Sequence, residues 1–143
     1  MAHRKIGLAD ELYKISRMGM EASEIVLPKV ESDELRERIE RQKAGYKSFA
    51  ERSGEFLRQS GKEPPEERGV EKLMLRGSAR LGTLLNRSSA HIAEMMINGS
   101  AMGIISMTKA LNRSSGEDGP AKELAGKYLA SEQTNIDELK KHL

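Results

Sequence analysis

The chain has no cysteine and no tryptophan, and only three tyrosines and two phenylalanines. Without cysteine there are no disulfides, thiolate zinc sites, iron–sulfur clusters or thiol nucleophiles. So few aromatics argue against a β-sandwich or barrel, which lean on aromatic and β-branched side chains. Nowhere do 18 or more uncharged apolar residues follow one another, so no segment reads as a membrane span. The start, MAHRKIGLADELYKISR, is charged throughout and lacks a signal-peptide core. The expected location is the cytoplasm.

Charge of one sign is missing too. The 24 basic and 22 acidic residues are interspersed, for a formal net charge of +2. This is a solvated surface rather than an electrostatic footprint for nucleic acid. Lys72, Arg76, Arg80 and Arg87 make one basic stretch, but the near-neutral total excludes nucleic acid as an expected partner. No G-x-S-x-G, GxGxxG or GxxxxGK[ST] pattern occurs, so neither a serine hydrolase nor a phosphate cradle has support.

What is present fits one helical domain over residues 1–143. Apolar residues make up 37% and charged residues 32%, with eight methionines, so the core must come from Leu, Ile, Ala and Met. GKEPPEERG at 61–69 and NRSSGEDG at 112–119 read as loops. Pro28 disfavours continuation of the first helix, and Ser32 followed by Asp33 and Glu34 reads as an N-cap. Helices are expected near 5–27, 32–60, 66–111 and 120–142. A repeat of LNRSS at 85–89 and 111–115 leaves open a break in the third, giving 66–85 and 88–111 with Ser88 as a cap.

Three segments carry apolar stripes at alternating steps of three and four. These are Leu8, Leu12, Ile15, Gly19, Ala22, Val26; Leu35, Ile39, Gln42, Tyr46, Phe49, Ser53, Phe56; and Ala125, Leu129, Glu132, Ile136, Leu139, Leu143. Such spacing belongs to nearly antiparallel bundle helices, so the expected fold is an all-α four-helix bundle with a long or kinked third helix. The polar intruders carry the functional information. Glu132 sits mid-stripe, and a carboxylate in a core needs a partner, hydrogen bonds or a metal. Tyr128, one turn before it, is a candidate partner; so are Gln42 and Tyr46 if the second and fourth helices adjoin.

SAHIAEMMINGSAMGIISMTKAL, at 89–111, is the most apolar run. Ile92, Ala93, Met96, Ile97, Ile104, Met107 and Leu111 form one face, and His91, Glu94 and Asn98 lie within about 60° of one another on the opposite flank. Ala101 and Ile105 continue that flank. His91 and Glu94 could jointly hold a divalent ion, although zinc usually takes three or four protein ligands. Gly99 and Gly103 form a GxxxG step, which asks for close approach to a neighbouring helix or subunit. With Met95 and Met102 they form a candidate interface.

Four similar helices with inward glutamates resemble the ferritin-like, di-iron carboxylate superfamily, which places one Glu on each of two helices and Glu-x-x-His on the other two. The corresponding runs here are Glu132-Gln133-Thr134-Asn135 and Glu40-Arg41-Gln42-Lys43, with Asn135 and Lys43 where His is expected. Glu94, with His91 one turn before, is available on the third helix, and Glu11 or Glu21 on the first. The resemblance implies a ferritin-like fold without iron-oxidase chemistry. The expected function is a non-enzymatic bundle that forms homo-oligomers or binds a protein partner and needs no cofactor. The alternative is a metal-binding protein holding Fe, Mn or Zn through Glu11, His91, Glu94 and Glu132.

Overall fold

The computed structural model describes residues 7–64, 88–114 and 119–143. The expected helix at 66–85, with its glycines and Arg76 and Arg80, lies outside them, as do Arg87 and any kink at 86–87. Among the described residues all regular structure is helical. There are four long helices: α1 (Leu8–Val26), α2 (Asp33–Gln59), α3 (Ser89–Arg113) and α4 (Gly119–Leu139). None is long and apolar enough to cross a membrane.

The helix ends follow local chemistry. In α1, Asp10 Oδ2 accepts from the Gly7 backbone N–H at 3.1 Å, which fastens the first turn. Pro28 sits in a short 3-10 turn (Leu27–Lys29) that links α1 to α2. Ser32 caps α2 as the spacing predicts, its hydroxyl accepting from Leu35 N–H at 3.3 Å. The same helix closes with Gly61 at φ 72°, Gly61 N–H bonded to the Arg58 carbonyl and Lys62 N–H to the Leu57 carbonyl. This is a Schellman ending, in which glycine takes the left-handed position without steric cost. Ser88 caps α3 through His91 N–H at 3.2 Å. At its far end α3 runs on through Asn112 and Arg113, so the second loop is shorter than the sequence suggests.

Two apolar clusters fill the bundle. One joins Leu8, Leu12, Ile15, Tyr46, Met107, Ala110, Leu124, Ala125 and Tyr128. The other joins Val26, Val30, Leu35, Ile39, Ile92, Ala93, Met96 and Leu139. Helices α1 and α4 therefore run from the first cluster to the second, and α2 and α3 run back. Helix α1 packs along α2 and α3, and α4 along α3 and α2, so each of these neighbouring pairs is antiparallel. Burial supplies the dominant stabilisation, about 25 cal/mol per Å² of apolar surface.

The α4 stripe differs from expectation. Ala125, Glu132 and Leu139 are buried as predicted, but Leu124, Tyr128 and Asn135 complete the inner face, while Leu129 and Ile136 are half-buried. The reason is Tyr128, whose ring enters the core edge-on to Phe49, with centroids 5.6 Å apart. On α1, Ser23 rather than Ala22 is buried.

Candidate functional site

A polar layer separates the two clusters, and each of the four described helices contributes to it. Gln42 lies between Ile39 and Tyr46 on α2, Ser100 between Met96 and Met107 on α3, and Glu132 with Asn135 between Tyr128 and Leu139 on α4. On α1 the buried Ser16 and Ser23 fall between Ile15 of the first cluster and Val26 of the second.

Glu132 is at the centre and only 2% exposed. Its Oε1 accepts from the Tyr46 hydroxyl at 2.7 Å, from Asn135 Nδ2 at 2.8 Å and from the Ser100 hydroxyl at 3.3 Å. Its Oε2 accepts from the Tyr128 hydroxyl at 3.0 Å. Three of the four neutral donors converge on Oε1 and one reaches Oε2, so Oε1 is fully engaged and Oε2 keeps one of its two acceptor directions. Burial raises the carboxyl above its ordinary value, and the four hydrogen bonds partly offset that rise. Burial, followed by the charge of Glu132, pushes both tyrosine hydroxyls upward, which keeps them protonated donors.

Two glycines make room for these tyrosines. A Cβ on Gly19 would stand 2.9 Å from atoms of the Tyr46 ring. A Cβ on Gly103 would collide with the Tyr128 hydroxyl and lie 3.1 Å from Glu132 Oε2. The close approach read from GxxxG is therefore met by Gly103 within the chain, against α4. Gly103 itself is half-buried. Gly99 is exposed, with nothing within 4 Å of its Cβ position.

The residues of the expected metal set fall in different surroundings. Glu132 lies inside the donor cage. Glu11 is half-buried on the first turn of α1 and adds to the upward shift of Tyr128. His91 is half-buried and Glu94 exposed, on the side of α3 opposite Ser100 and Gly103, which face Glu132. Among the described residues no three His, Asp or Glu side chains gather where they could hold a metal ion, so the structure does not bring Glu11, His91, Glu94 and Glu132 together. Glu40 and Glu21 also lie outside the layer.

Of the partners expected for Glu132, Tyr128 and Tyr46 bond to it and Gln42 does not. Both atoms of the Gln42 amide are buried and without a hydrogen-bond partner. Ser100 and Asn135 were not foreseen as partners. Their signal was in the sequence: Met96, Ser100, Gly103 and Met107 continue a four-three-four stripe, and Asn135 is three residues after Glu132.

The flank of α3 that carries His91, Glu94 and Asn98 faces outward. Met102 is 68% and Ile105 54% exposed on it, while Met95 packs against the second cluster. No protein-family model matches the chain, and no curated protein or solved structure matches it.

Proposed function

We propose that the protein is a ferritin-like bundle without catalysis of its own, acting through association with a second copy along the outer face of α3. One observation carries this reading. Glu94, Asn98, Met102, Ile105 and Lys109 are all exposed and, at about 100° per residue, fall within about 80° of arc. An apolar centre flanked by opposite charges is self-complementary. A two-fold axis between Ala101 and Met102 sets Glu94 opposite the partner's Lys109 and Asn98 opposite the partner's Ile105. That is the isologous geometry of a symmetric dimer.

The ferritin-like part of the reading is supported by helix direction. An order of up, down, down, up calls for one long crossover between the second and third helices, as ferritin-like bundles have. The donor cage around Glu132 supports a structural role for that carboxylate. Four neutral donors from three helices hold it in place, and no second carboxylate or imidazole joins it among the described residues.

Sedimentation velocity on the full chain tests the proposal. The expected result is a concentration-dependent dimer that the double substitution Met102→Glu, Ile105→Glu converts to monomer with helical circular dichroism unchanged. A wild-type chain that sediments as a monomer up to its solubility limit overturns it.

A further inference from the structure

Between α2 and α4, beside the polar layer, lies a groove of about 310 Å³ whose walls include Gln42, Tyr46 and Asn135. Tyr46 and Asn135 are held rigidly by Glu132. Gln42 is not held by anything. The residue is 4% exposed, and both its Oε1 and its Nε2 lack a partner. A buried amide with neither its donor nor its acceptor satisfied is unfavourable, and buried polar groups are satisfied in the great majority of cases. Nothing in the packing of the layer accounts for a glutamine here in place of an apolar residue.

We infer that this groove is a binding site for a small ligand that carries a hydrogen-bond donor beside an acceptor, as a primary carboxamide or a ureide does, together with an anionic group. The Gln42 amide would pair with the planar end through two reciprocal hydrogen bonds, one given and one received. The side chain lines the groove while its amide atoms are covered, so pairing takes a rotamer change at the sp³–sp³ torsions of Gln42 that brings the amide to the groove, and the soft terminal torsion then sets which edge donates and which accepts. The anionic end falls to Arg41 at the rim. Its guanidinium side chain is 60% exposed and touches Glu37 only at 4.0 Å, so it is free to swing. Glu138, also on the rim, is engaged by Arg38 at 3.1 Å and offers little competition for Arg41. The groove is of the size that small-molecule sites begin at. Gly45 keeps it open: it lines the groove mid-helix, and a Cβ there meets nothing within 4 Å, so no close packing asks for glycine. This site is independent of the α3 face.

The test is a titration of the ¹⁵N-labelled full chain with N-carbamoylglycine and with succinamate, read at the side-chain amide resonances of Gln42. Those resonances are assigned as the pair missing in Gln42→Leu. The expected result is a saturable shift with at least one of the two, absent with succinate, which has no amide donor. Followed in wild type and variant alike at the backbone amides of Thr134 and Asn135, which also line the groove, affinity should fall about tenfold or more in Gln42→Leu. Should that variant misfold, Gly45→Trp fills the groove from a position with free space and should abolish the shift. No saturable shift with either compound, an equal response to succinate, or unchanged binding in Gly45→Trp overturns the inference.

Discussion

The Tyr46 hydroxyl donates to Glu132 Oε1 at 2.7 Å while the Tyr46 ring lies against Gly19. One side chain of α2 thereby touches α1 through its face and α4 through its tip. The carboxylate it reaches is shared with Ser100 of α3. These contacts tie α1, α2, α3 and α4 together at one level between the two apolar clusters. Buried polar groups are well attested in fixing register.

Because Glu132 accepts from four buried donors, Glu132→Leu leaves Tyr128 and Asn135 without that acceptor and Tyr46 and Ser100 with only their mutual 3.4 Å contact, and should destabilise the fold by about 2–5 kcal/mol. Thermal unfolding followed by circular dichroism checks this. A melting temperature that holds or rises would mean that the carboxylate is idle.

The pH dependence has a definite sign. Burial raises the Glu132 carboxyl above its ordinary 4.5. The folded state therefore holds the proton where the unfolded chain has released it. Stability from this group is fully present below about pH 4.5 and is lost as pH rises through the folded-state value. Urea unfolding of wild type and Glu132→Gln across that range should show wild type losing ground as pH increases. The opposite slope would mean that the hydrogen bonds outweigh burial.

The glycines of α3 should respond in opposite directions to alanine. Gly99→Ala meets open space and removes a flexible residue from a helix interior, so it should stabilise by up to about 1 kcal/mol. Gly103→Ala drives a methyl group into the Tyr128 hydroxyl, and should destabilise by about 1–3 kcal/mol. Gly19→Ala should follow Gly103→Ala, because its Cβ meets the Tyr46 ring. Denaturant midpoints of the three variants decide the matter.

Charge reversal tests the two-fold arrangement on α3. Glu94→Lys sets like charges opposite one another in the proposed dimer and should weaken association, and adding Lys109→Glu should restore it. Sedimentation equilibrium separates the variants. If single and double variants associate alike, Glu94 and Lys109 do not face each other.

The sequence by itself determined the helices. Ser32 and Ser88 carry their caps in their own side chains, Pro28 ends the first helix locally, and steps of three and four are a property of one helix. It also placed Glu132 on the apolar stripe at heptad spacing from Ala125 and Leu139, which left its long stem either buried with partners or reaching solvent; the structure buries it. Only the tertiary structure decided which other helices reach it. Tyr46 and Ser100 come from α2 and α3, and their meeting with Glu132 depends on helix direction and axial level, which no single-helix period encodes, whereas Tyr128 and Asn135 stand one turn to either side on α4 itself. The same holds for the two glycines of one GxxxG step: Gly103 abuts Tyr128 and Gly99 opens to the surface because they stand about 40° apart on a helix that contacts α4 on one side only. It holds again for Gln42, whose stripe position promised a partner that neighbouring packing does not supply.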